Sequence, residues 1–133
     1  MTVELNHTIV WVHDKWTSAQ FLADILGLSV GAPDGPFVPL RLANNVTLDF
    51  ADSDLALGHH YGFQLSDDEF DASFDRIRRA GITYWGDPFH LQAGTLNQRN
   101  GGRGLYFEDL NGHNMELLTT SDPVLPGTVV EDR

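Results

Sequence analysis

Residues 104–117 read GLYFEDLNGHNMEL, and the fold turns on how they are read. GLYFED and NMELLTT flank the turn residues LNGH, so the stretch predicts a strand, a reversal and the last strand of the chain. Successive side chains of a strand point to opposite faces, which separates Glu116 from Met115 and Leu117 and groups it with Asn114 and Leu118. A carboxylate so placed faces either water or a partner.

Upstream of this hairpin, HYGFQL at 60–65 predicts another strand, and SDDE at 66–69 is a capping box opening a helix whose apolar face is Phe70, Phe74 and Ile77. Gly81 stops that helix, and ITYW at 82–85 predicts a short strand. The first half of the chain repeats the plan. LNHTIVWV at 5–12 predicts a strand beginning at His7, and Asp14 caps a helix over Lys15–Leu26 that ends at Gly27. Its apolar stripe reads Trp16, Ala19, Leu22, Ala23 and Leu26. FVPLRLA and VTLDFAD then flank Asn44 and Asn45. Sliding the sequence by 53 lays His60 on His7 and Asp67 on Asp14, and by 54 lays Gly81 on Gly27. A strand, a helix and about three strands are therefore used twice, which is duplication of one supersecondary unit and not a solenoid.

The 133 residues suit one domain over 1–120, with module one at about 4–52 and module two at about 58–120. The 19-residue loop GDPFHLQAGTLNQRNGGRG at 86–104 is long enough to predict a functional or mobile segment. The tail at 121–133, with two prolines and little periodicity, is expected to fray or to dock on a partner chain. Eight basic against 19 acidic residues give a formal charge of −11, which argues against nucleic acid and anionic membrane as partners and leaves metal cations and small molecules. Without cysteine, any metal must be held by His, Asp, Glu or backbone oxygen. No export signal or membrane-length apolar run is read in the chain, so the expectation is a soluble cytoplasmic protein.

The duplication selects candidates. His7 and His60 open equivalent strands, and a pseudo-twofold axis would bring them together, with Glu116 completing a set of two imidazoles and one carboxylate. Such a set suits Zn, Ni, Mn, Fe or Co and leaves positions open. A strand-edge histidine is more often solvated than ligating, and it is the joint placement that raises the three. His13, His59, His90 and His113 read as non-ligands, with His90 in the long loop and within reach of substrate. Asp49 in VTLDFAD is either a fourth ligand or base, or a solvated strand residue, the two with equal weight.

The order of LNHTIV, HYGFQL and above all GLYFEDLNGHNMEL resembles the vicinal oxygen chelate superfamily, whose members include glyoxalase I, bleomycin-resistance and fosfomycin-resistance proteins and extradiol dioxygenases. The resemblance spans residues 4–120. It implies an α+β fold of two βαβββ modules forming a cupped mixed sheet, commonly in a homodimer whose sites draw on one chain or both. It also implies a divalent metal at His7, His60 and Glu116 and an enzyme acting on a small molecule that chelates the metal through oxygen, with dioxygenase, isomerase or ring-opening chemistry. Asp49 stands where glyoxalase-like members carry a glutamate, which weakens a glyoxalase reading. Fosfomycin-resistance-like members place further cations near a phosphonate, for which the loop offers only Arg99 and Arg103 and no convincing pocket, and Tyr106 and His90 are loose matches to dioxygenase acid and base residues. The alternative is a bleomycin-resistance-like protein that sequesters an antibiotic or other planar molecule. For it Trp11, Tyr61, Tyr84, Trp85 and Phe89 are candidate aromatic walls, with core packing as the competing role. Candidate substrate contacts are thus Trp11, Tyr61, Tyr84, Trp85, His90, Arg103 and Tyr106.

Overall fold

The alternation of apolar and polar residues that predicts strand one is realised in β1 (His7–Val12). Its Val10 and Val12 are buried while His7, Ile9 and Trp11 are exposed. The computed structural model describes residues 3–119, so the tail lies outside the described residues. By internal contacts the chain forms two units: the first runs to Gly58 and takes in Asp109–Gly112, and the second comprises His59–Glu108 and the chain from His113 onward.

In the first unit β1 is followed by α1 (Lys15–Leu26). The Asp14 carboxylate accepts the Thr17 N–H at 3.0 Å, satisfying one of the orphan donors of the first turn. Gly27, at φ 72°, ends the helix in the left-handed region that glycine enters without steric cost. Strands β2 (Val38–Arg41) and β3 (Thr47–Asp52) complete a sheet of order β1-β3-β2, with β1 parallel and β2 antiparallel to β3. Val10, Val12, Val38, Leu40, Leu48 and Phe50 are buried on one face with Ala19, Leu22, Ala23 and Ile25 of α1. The predicted stripe is rotated. Trp16 is 49 % exposed, and Ser18 and Ile25 are buried where Trp16 and Leu26 were expected. Small residues let α1 sit close to the sheet, and the bulk of Trp16 stays outside.

The second unit holds β4 (His60–Gln64), α2 (Asp67–Arg79), β5 (Tyr84–Trp85), β6 (Gly104–Glu108) and β7 (Asn114–Leu118), in the order β4-β7-β6-β5. The expected capping box is present. Ser66 Oγ accepts the Glu69 N–H at 3.2 Å, and Glu69 Oε1 accepts the Ser66 N–H at 3.0 Å. Phe63, Phe70, Ile77, Leu105, Phe107, Met115 and Leu117 form the core. In the first unit no strand is assigned between α1 and β2, but Gly31 donates its N–H to Pro39 O at 2.9 Å. Shifted by 54, Gly31 falls on Trp85 of β5, so a single backbone bond stands where the second unit has a strand.

The long loop is tied to itself. Asn97 donates to Gly86 O at 2.8 Å, Asn97 and Gly104 exchange backbone bonds, and Arg99–Gly101 forms a 3₁₀ turn.

Candidate functional site

Register assigns the faces of the second sheet. His60 pairs with Asn114, Gly62 with Glu116, Tyr106 with Glu116, and Trp85 with Tyr106. These residues share one face, and Tyr61, Phe63, Tyr84, Phe107, Met115 and Leu117 point to the other. On the first face His60 Nε2 lies 3.0 Å from Glu116 Oε1. The Glu116 side chain is 7 % exposed, whereas the imidazole is open to solvent over 41 % of its side chain. The position of the proton these two groups share is one that a cation can take. Two ligand bonds of about 2.1 Å, at angles between octahedral and tetrahedral, separate their donor atoms by roughly 3.0–3.4 Å. The donor set and its spacing therefore fit a divalent ion. Gly62 beside Glu116 leaves the space open: a Cβ there would lie 3.5 Å from Glu116 Oε1.

His90 belongs to the same face. Its backbone adopts φ 61°, uncommon for a residue with a Cβ, and its ring stacks on Trp85 at 3.8 Å between centroids and 7° between planes. Asn114 donates its amide to Pro88 O at 3.1 Å, which turns Oδ1 toward His90 Nε2 at 2.9 Å, so that nitrogen is the donor. His90 Nδ1 lies 3.6 Å from Glu108 Oε1, an ion-pair distance and too long for a hydrogen bond. The loop conformation is held by Asp87, whose carboxylate accepts the N–H groups of Leu91 and Gln92 at 2.7–3.0 Å. Burial opposes its ionisation, but the amide bonds prevail and hold its pKa below the usual 3.8. Tyr106 is fully buried in the edge-on company of His60, at 5.7 Å between ring centroids.

In the first sheet, His7 pairs with Thr47 and Ile9 with Asp49. Since His60 is His7 shifted by 53, Asp49 occupies in β3 the register position that Glu116 occupies in β7. His7 Nδ1 meets Asn6 Oδ1 at 2.8 Å, which places the proton on Nδ1 and leaves the Nε2 lone pair available. A cavity of about 590 Å³ opens on this face, lined among others by His7, Asp49, Arg41 and Phe37. Trp11, 44 % exposed, lies two positions along β1 from Ile9.

Three expected substrate contacts lie elsewhere. Tyr61 stands edge-on to His113 and Tyr84 edge-on to Phe74, both on the helix side of the sheet. Arg103 clamps the start of α2 through Asp71 at 2.6 Å and Asp67 at 3.1 Å and lies over the Phe70 ring. Its bond to Asp71 is the main reason the guanidinium titrates even higher than usual. Phe89 is 80 % exposed. His113 is fully buried, where its Nδ1 accepts the His59 N–H at 2.9 Å, and the His13 backbone donates to Asn111 at 2.8 Å. Sequence reasoning missed Asn114, Gly62 and Arg41, whose partners or openness only register makes visible. His7 belongs to the first unit, and His60 and Glu116 to the second. Among the described residues, neither unit by itself gathers three His, Asp or Glu side chains around one point, and none of the helices is long and apolar enough to cross a membrane.

No family model matches the chain. A solved structure, the oxidase ChaP-H2, is 55 % identical, covering 96 % of this chain and 100 % of that one at a TM-score of 0.89. The glutathione transferase FosA of Serratia marcescens is 25 % identical over 124 residues, 88 % of this chain and 81 % of that protein. A glyoxalase/bleomycin resistance protein/dioxygenase from Nocardioides shares the fold at 21 % identity and a TM-score of 0.65, covering 97 % of this chain and 91 % of that one. Together with the two strand–helix–strand units, their mixed sheets and the duplicated register, these likenesses show that the chain belongs to the vicinal oxygen chelate superfamily, with its α+β glyoxalase-like fold.

Proposed function

We propose that the protein is a divalent-metal-dependent enzyme acting on a small organic molecule that approaches the metal through oxygen. The observation that carries this reading is the His60–Glu116 pair at 3.0 Å, a buried carboxylate against an open imidazole beside a glycine. His60 and Glu116, with His7 from the same chain or a second copy, would hold the ion, and Asp49 is the candidate fourth ligand or base. When bound, the metal supplies Lewis-acid stabilisation of negative charge developing on substrate oxygen. The chain's own contribution is positioning and proton handling. His90, fixed by Trp85, Asn114 and Glu108, presents a preorganised imidazole at the edge of the face, and Tyr106 backs His60 so that its ring keeps one orientation. That the similar proteins include an oxidase and a glutathione transferase supports catalysis over sequestration.

A homodimer accompanies this reading. Ile9 and Trp11 stand exposed on the β1 face at 36 % and 44 %, apolar area that a second copy would cover. Sedimentation at micromolar concentration should give a dimer. The second reading, sequestration of a planar molecule without turnover, is favoured by the same exposed Trp11 and by the cavity beside His7. Screening dioxygenase, isomerase and ring-opening substrates with the metal-loaded protein separates the two. Turnover abolished in Glu116→Gln supports the enzyme, whereas tight binding of a planar ligand, unchanged in that variant and without turnover, supports sequestration.

A further inference from the structure

Arg41 ends β2, pairs with Thr47 and lines the cavity beside His7. The row across the sheet is His7, Thr47, Arg41. Other basic side chains of the described residues are engaged. Lys15 reaches Asp52 and Pro36 O, Arg78 and Arg79 reach Asp75, Arg103 reaches Asp67 and Asp71, and Arg76 and Arg99 also have partners. Among the described residues, the Arg41 guanidinium alone has no hydrogen bond or ion pair, in a chain where carboxylates outnumber cations 19 to 8. Asp49 lies one register step away on the same face and is not within ion-pair distance of it.

The duplicated half makes the point sharper. The equivalent row in the second sheet is His60, Asn114, Glu108. There the third place holds a carboxylate that lies beside His90, and in the first sheet it holds a free cation over a cavity of about 590 Å³. That volume is the size of a small-molecule site. Phe37, Pro33 and Pro39 give the lining its apolar area, and Asp34 lines it with Asp49. A planar guanidinium offers paired N–H donors that match a carboxylate, and the exposed Arg41 exchanges only water, not a protein partner, in turning to a ligand.

We propose that this cavity receives a carboxylate borne on a small flat molecule, that Arg41 binds the carboxylate, and that Asp49 accepts a hydroxyl of the same ligand. This deepens the metal-site reading, because His7 lines the same cavity, but the Arg41 contact does not need the metal. Substrate selection by charge then resides in residues of the first unit.

The test is equilibrium dialysis of the full chain with 4-hydroxybenzoate and its neutral isostere 4-hydroxybenzamide, in EDTA and again with Zn. Wild type should prefer the acid by about ten- to a hundredfold, as expected for one charge-assisted contact. Arg41→Gln should bind acid and amide alike, and Arg41→Lys should keep part of the preference, having the charge without the fork. Because Arg41 has no partner to lose, both variants should melt as wild type does. An acid preference undiminished in Arg41→Gln, or no binding of the acid by wild type, overturns the assignment. If zinc is not retained but the preference persists in EDTA, the metal reading fails and the Arg41 assignment stands. If zinc is retained and the preference is absent, the assignment fails and the metal reading stands.

Discussion

His60 Nε2 lies 3.0 Å from Glu116 Oε1, although the two residues are 56 positions apart and meet across the parallel pair β4–β7. Gly62, directly opposite Glu116 in that pair, keeps the approach to both atoms clear. Gly62→Val should therefore occupy the space and weaken metal retention by about tenfold or more, the loss of a ligand's proper placement being worth at least that. Gly62→Ala, whose Cβ makes an ordinary contact, should retain metal nearly as wild type does. Competition with a chelator reads both.

The loop around Asp87 should be loosened by acid. Its folded pKa lies below 3.8, so the stabilisation of the carboxylate–amide bonds is complete above that value and is lost as pH falls through the depressed folded pKa. The Leu91 and Gln92 amide resonances should titrate together with a midpoint below 3.8, and Asp87→Asn should speed exchange of the same two amides at neutral pH. Midpoints at the ordinary value would mean that the bonds do not form in solution.

His90 covers one face of Trp85 at 3.8 Å. His90→Ala should cost about 0.5–1.5 kcal/mol of stability, the worth of an aromatic pair, and should change Trp85 emission, which Trp85→Phe would identify. Asn114→Ala should produce part of the same fluorescence change, because Asn114 orients the ring. If turnover is found, both variants should lower kcat more than they raise KM.

The local parts of this account were legible in the sequence. Asp14, Ser66 with Glu69, and Gly27 act within a few residues of themselves, and the helices begin and end where these caps predict. The face α1 buries was less legible, because Ser18 and Ile25 are neighbours of the apolar positions and the choice was made by how closely the helix approaches the sheet. Asp49 could not be oriented without the register that sets it opposite Ile9. The long loop made His90 a candidate contact in the sequence, but its positive φ and its stack on Trp85 depend on a loop held by Asp87 and had no signal there. Arg41 reads as ordinary strand alternation in LRLA, and whether a guanidinium finds a carboxylate is decided by tertiary pairing alone.

Metal content per chain, by elemental mass spectrometry on untagged protein, tests the central claim most directly. Wild type should carry about one equivalent of a divalent metal, the stoichiometry of one three-ligand site per chain. His7→Ala and Glu116→Gln should each lose it with the fold intact. Wild type that holds none after incubation with Zn, Ni, Mn and Fe(II), or variants that hold as much as wild type, would contradict it.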